Sequence, residues 1–269
     1  MALRLSAALR NAVLKNRSFK QEMGNAFLKL YTGSQPASAD AAPTGTLLCT
    51  YSASSGAITR ETLAIGSLTI TAAASGTLDT LRLTPAGPGT VIDILGGAVT
   101  ADGTVAGTAT LAATSINDNP ANVYVTASTT GASGVITLTA KPGTGATLNT
   151  WAVTATSTTV TTNSGAGAVD MTGGVAAVNG LRWSTTAAGV LSKKSTQTWS
   201  GVAVATGTAG WFRIEAAVTD SGALDSVELY KRVDGAVSTS GSELNLSSTS
   251  IANTATQTID SFTVTLPTA

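Results

Sequence analysis

The sequence predicts a mainly β fold: a discontinuous β-sandwich with an inserted small β-rich or α+β module and an N-terminal helix. Three observations lead there. Short runs rich in Thr, Val and Leu alternate polar with apolar at period two and are bounded by Gly, Ser or Pro. Residues 87–175 carry few charges and are dense in Thr, Ala, Gly and Val, and beyond them the composition of residues 25–86 resumes. Residues 3–20 repeat at helical spacing. The predicted organisation is therefore an arm at 1–24, a sandwich built from 25–86 and 176–269, and an insert at 87–175. A chain of 269 residues can bury roughly three quarters of its unfolded surface, so a sizeable core is expected.

In the arm, Leu5, Leu9 and Val13 recur at i, i+4 and i+8 beside Leu14, while Arg4, Arg10 and Arg17 fall elsewhere on the wheel. So narrow a stripe cannot hold an isolated helix in water, so it must pack on its own body or on a partner. These seven residues, Leu5, Leu9, Val13, Leu14, Arg4, Arg10 and Arg17, are the candidate assembly contact. Period two begins at 26–32, with Phe27 and Tyr31 on one face and Leu28 and Leu30 on the other. Strands follow at 46–51, 67–72 and 78–84, separated by the Gly33-Ser34-Gln35-Pro36 turn and a loop at 37–45.

In the insert the pattern predicts a strand at 91–95, a short helix at 107–117, paired strands at 123–128 and 135–140, and a strand at 151–162. Trp151 is its one large anchor, and Gly165-Ala166-Gly167 and Gly173-Gly174 read as hinges. The second half of the sandwich predicts strands at 181–184, 196–203, 210–218, 226–233, 243–246 and 256–266. Trp183, Trp199, Trp211 and Phe212 mark its core. Along 211–216, Phe212, Ile214 and Ala216 face inward, with Trp211, Arg213 and Glu215 on the other side.

Composition removes most enzyme classes. Charged residues are 11% of the chain, against roughly 25% in ordinary domains. There is no histidine and one cysteine, Cys49, which excludes Ser-His-Asp and Cys-His nucleophiles, His-bearing zinc sites and intrachain disulfides. Phosphate-loop and dinucleotide-binding fingerprints are missing, and Cys49, in an apolar run, reads as inert core. Asn117-Asp118-Asn119 and Asp102-Gly103 are weak calcium-loop signals without the remaining ligand positions. Leu78-Asp79-Thr80-Leu81 is echoed by Leu224-Asp225-Ser226-Val227 and by Ile259-Asp260-Ser261-Phe262, each Asp reading as a strand-initiating turn. No catalytic, cofactor-binding or metal-ligating residue is assigned, and no cofactor is expected.

Net charge is zero but uneven. Residues 1–30 hold six bases against Glu22 alone, and the rest hold nine bases and fourteen acids. A basic arm on a mildly acidic body suits docking on something acidic, including a neighbouring copy, or else a solvated helix face. Nucleic-acid binding is not expected, because aromatics do not interleave with the basic residues beyond Phe19 and Phe27. No run reaches membrane-spanning length, and Arg4 and Arg10 break any secretory core, so a protein made and kept in the cytosol is expected.

From Leu28-Lys29-Leu30-Tyr31-Thr32-Gly33-Ser34-Gln35-Pro36-Ala37-Ser38-Ala39-Asp40-Ala41-Ala42 through Gly45-Thr46-Leu47-Leu48 the chain resembles a group of small β-rich tailed-bacteriophage virion proteins. Gly210-Trp211-Phe212-Arg213, residues 234–246 and residues 258–265 fit the same group, and 135–145 is similar to small modules of phage tail and baseplate proteins. The resemblance covers roughly two thirds of the chain with the insert set aside, and the insertion of 87–178 departs from shorter relatives. It implies a non-enzymatic virion subunit made in the host cytoplasm: a head decoration or a tail, neck or baseplate component. Its implied partners are other virion proteins and copies of itself, without nucleic acid or membrane. The competing expectation is a virion-displayed receptor- or glycan-binding adhesin with the insert outward; a hydrolase is a third.

Overall fold

The computed structural model describes residues 3–15, 17–131, 133–164 and 167–265. Parts of several expectations lie outside the described residues: the arm at 1–2 and Asn16, the turn residue Ala132, the hinge pair Gly165-Ala166, and the end of the last strand at Leu266. The fold is mainly β and sandwich-like, with several antiparallel sheets and few helices. It divides into two compact units, one reaching Glu61 and resuming at Ala177, the other spanning Thr62–Ala176.

The insert therefore starts well upstream of the expected 86/87 boundary. Ile65–Ala72 pairs with Val135–Ala140, and Thr77–Thr84 pairs with Ala152–Thr158, so both strands belong with the insert. Their period-two pattern matched the sandwich strands, and nothing local revealed the pairing partner. The far junction, at Ala176/Ala177, lies one residue from the expected one.

In the first unit a nine-stranded sheet runs, in spatial order, Arg4–Leu5, Arg232–Ser238, Gly207–Glu215, Phe27–Thr32, Leu47–Ala53, Trp199–Val202 and Thr256–Ile259. Two short strands, Leu244–Asn245 and Ser250–Ile251, attach beside this path. Phe212 and Ile214 pair across to Leu30 and Leu28, which fixes the apolar face expected from alternation. That face packs a buried cluster including Leu9, Met23, Tyr51, Trp183, Trp199 and Phe262. Edge-on contacts of Trp183 with Trp199 at 5.2 Å and of Phe212 with Phe262 at 5.5 Å lock the rings. Cys49 lies in this core, and burial pushes its thiol up to about 12, as inert packing requires. Gly210 sits at the register shift beside Trp211, where an added Cβ would lie 2.0 Å from the Gly33 carbonyl oxygen.

The single helix expected over 3–20 is interrupted. Arg4–Leu5 pairs with Asp234 and Val233 as a short strand, and then helix α1 covers Ala7–Lys15 and α2 covers Phe19–Glu22. Ser18 forces the second start: its hydroxyl accepts from the Gln21 N–H, and the Gln21 side chain reaches back to the Ser18 N–H. Elsewhere 181–184 reduces to isolated bridges of Leu181 to Ala26 and Trp183 to Lys193. Of 91–95 only Ile92–Asp93 pairs, and the last strand is split into Thr256–Ile259 and Thr263–Thr265.

In the second unit, helix α3 (Val105–Asp118) lays Ala109, Ala112, Ala113 and Ile116 on the sheet containing Ile65–Ala72, Val135–Ala140 and Val125–Thr129. Thr104 caps its start, accepting from the Gly107 N–H. The outer edge of Val125–Thr129 is closed by side chains. Asn117 donates to the Ala127 carbonyl and accepts from its N–H, and Asn122 does the same for Val125. Trp151 packs beside Tyr124 at 5.7 Å between ring centres.

Candidate assembly surface

On the nine-stranded sheet, alternation turns Trp211, Arg213 and Glu215 away from the apolar core. They lie beside Phe27, Lys29 and Tyr31 on one flank and Arg232 and Asp234 on the other. This face is nevertheless buried, with only Lys29 partly exposed, because the chain around Asp40, Thr44 and Asp220 bonds down onto it.

Its charges are paired in series. Glu215 accepts from Lys29 at 2.7 Å and from Arg60 at 2.6 Å, and the Arg60 guanidinium lies 5.0 Å from the Phe27 ring. Arg213 meets Asp234 bidentately at 2.8 Å for each bond, while its Nη1 has no hydrogen-bond partner among the described residues. Burial raises the Asp234 carboxyl above its ordinary range despite Arg213. Arg232 grips Asp220 with two bonds of 2.6 Å. Burial alone would raise Asp220, but those bonds and the Gly222 N–H hold it below its ordinary range. Tyr31 stacks on Trp211 at 4.5 Å, and burial, aided by Glu215, pushes its hydroxyl up to about 12.

This layer fixes what lies above it. Arg232 donates to the carbonyls of Asp40 and Ala223, and the Asp225 N–H donates to the Asp40 carbonyl. The buried Asp225 carboxylate accepts from the N–H groups of Leu229 and Tyr230 at 2.9 and 2.6 Å. Asp40 Oδ1 also accepts from Ala7 N–H at the start of α1, whose Ser6 hydroxyl accepts from Leu9 N–H. Asn11 on α1 donates to Glu228 at 2.6 Å. One turn of α1 from Asn11 stands Leu14, 84% exposed, with Val13 beside it; Leu224, Val227 and Leu229, 61–77% exposed, flank Glu228. Five large apolar side chains thus stand in solvent on a helix and a loop tied to each other and to a buried ionic layer.

The seven expected contact residues divide. Val13, Leu14 and Arg10 face outward. Leu9 is fully buried in the core of its own unit and cannot meet a neighbour without unfolding, whereas the half-buried Leu5 packs against that core. Arg17 is a buried ion-pair partner of Glu22, and Arg4 donates to the Pro36 carbonyl. Of the two alternatives the sequence left open, the described residues of the arm pack on their own unit through Leu9, while Arg10, Val13 and Leu14 stay exposed.

The 226–233 strand expectation also fails: the strand is Arg232–Ser238, and 224–229 is a loop. Its exposed apolar residues were missed for that reason. The available signal was Leu224, which falls off the alternation of Val227 and Leu229. The three echoed aspartates do not all open strands as expected: Asp79 lies inside Thr77–Thr84, Asp225 in a loop and Asp260 after a strand. Asp79 bonds Thr77 and Thr158 in the second unit, Asp225 anchors the loop, and Asp260 is exposed after Thr256–Ile259. Among the described residues, no group of three Cys, Asp or Glu could hold a metal ion. The loop Asp102, held low first by the Thr104 N–H, serves the start of α3, and Asn119 bonds the carbonyls of Ile94 and Leu95. No helix among the described residues is long and apolar enough to cross a membrane. Comparison with protein-family models, curated proteins and solved structures finds no match.

Proposed function

We propose that this chain is a non-enzymatic structural subunit of a tailed-phage particle, an accessory component of the head or of the tail, neck or baseplate, that works through contacts with copies of itself and with other virion proteins. One observation carries the reading: Val13, Leu14, Leu224, Val227 and Leu229 are exposed on segments fixed by Asp225, Arg232 and Asp40. Covering each such side chain would contribute about 1.5–3 kcal/mol, and a pre-ordered surface loses little entropy on docking. The resemblance of residues 28–48 and 210–213 to phage particle proteins supplies the class of partner. Quantitative mass spectrometry of purified particles, and of heads separated from tails, tests it. The chain is expected at fixed stoichiometry in one of the two fractions; its recovery only as soluble protein would overturn the reading.

A further inference from the structure

We infer that the free edge of the nine-stranded sheet, Thr256–Ile259, pairs antiparallel with the same edge of a second copy. The inference rests on the reading above, that the chain works by contact with its own kind, and adds a second surface to the apolar one on α1 and 224–229. Among the described residues Thr256–Ile259 pairs only with Trp199–Val202, through Thr256 to Val202 and Ile259 to Trp199. Ala203 N–H donates to the Ala255 carbonyl, whereas the N–H of Val204 and the carbonyl of Thr198 bond to the strand on the other side. Odd-numbered residues of Thr256–Ile259 therefore bond inward, and the N–H and C=O of Thr256 and Thr258 point out to solvent.

Two other edges are defended. Val125–Thr129 in the second unit is closed by Asn117 and Asn122, and the opposite edge of the nine-stranded sheet is the two-residue Arg4–Leu5 leading into α1. Thr256–Ile259 has no Pro and no charge, and the β-branched Val202 and Val204 on the adjoining segment are exposed. Such an edge is a template for strand addition.

The occupant follows from self-complementarity. Centred on Gln257, antiparallel self-pairing sets Thr256 opposite Thr258 of the second copy and Thr258 opposite its Thr256, giving four backbone hydrogen bonds. Gln257, donor and acceptor at once, meets its own counterpart. The nearest charge, Asp260, falls opposite Thr254 of the second copy rather than opposite itself, so identical edges meet without like-charge repulsion.

Sedimentation velocity of the full chain over a range of concentrations tests this. The wild type is expected to show a monomer–dimer equilibrium. Thr258→Pro, which removes only an outward N–H, and Thr258→Lys, which adds edge charge, are each expected to weaken it about tenfold or more with unchanged circular dichroism. Gln257→Cys is expected to form an intermolecular disulfide under mild oxidation, the buried Cys49 staying inert. A wild type that is monomeric at every concentration overturns the inference. So does a dimer that survives Thr258→Lys and leaves Gln257→Cys uncrosslinked, because that dimer uses another surface. Neither result touches the separate question of presence in particles.

Discussion

Arg213 and Asp234 face each other across adjacent strands, joined by two parallel hydrogen bonds of 2.8 Å, with both side chains fully buried. They occupy a sheet face that alternation alone would hand to solvent. Taking two ions out of water is costly, and a well-made pair only offsets that cost. Removing one partner leaves a bare buried charge. Arg213→Met and Asp234→Leu are each expected to lose about 3–5 kcal/mol in urea unfolding, and the double variant to lie near wild type or above it. A double variant as unstable as the singles would show that the pair contributes net stability.

The acid limb of stability has two opposing parts. Asp220 sits below its ordinary value of 3.8, so its stabilisation is present above that value and is lost as pH falls through the folded value. Asp234 sits above 3.8, so between 3.8 and its folded value the folded protein holds a proton that the unfolded chain has released, and stability falls as pH rises there. Urea midpoints from about pH 2 to 6 check this: Asp220→Asn is expected to flatten the limb below 3.8, and Asp234→Asn to remove the opposing slope above it.

Leu9 and Leu14 belong to one stripe in the sequence but not in the fold. Leu9→Ala is expected to cost about 2–5 kcal/mol by leaving a cavity, and Leu14→Ala to fall within about 0.5 kcal/mol of wild type. Thermal unfolding of the two variants distinguishes them.

Asp225 holds the apolar loop from below. Asp225→Ala leaves the N–H groups of Leu229 and Tyr230 without their acceptor, so it is expected to cost about 1–3 kcal/mol and to speed proteolytic cleavage within 224–229. Limited proteolysis with mass mapping of the first cut reads this directly.

Much of the fold was legible because period two is a local property. The inward set Phe212, Ile214 and Ala216, the shared face of Leu28 and Leu30, the aromatic core around Trp183 and Trp199, and a helix near 107–117 are all found in the structure. Pairing partners were not legible: nothing within 65–84 says that these strands pair with 135–140 and 152–158 rather than with the sandwich. The ionic layer was hidden for a related reason. Lys29 and Arg60 lie more than 150 residues from Arg213, and Arg213 and Asp220 lie 21 and 12 residues from their partners Asp234 and Arg232, so only strand register and the covering loops assemble them. Of the candidate surface, Val13 and Leu14 were visible as part of a stripe, whereas Leu224, Val227 and Leu229 imitate a strand and become a loop because Asp225 binds the backbone four and five residues ahead.

The most direct test of the central claim is the copy number of Leu14→Asp and Val227→Asp chains in purified particles, measured by quantitative mass spectrometry against wild type. Both side chains are solvent-facing, so unfolding temperatures should be unchanged. The account predicts about a tenfold or greater loss from particles, as expected when an apolar contact acquires an unpaired charge. Incorporation at the wild-type level by both variants would contradict it.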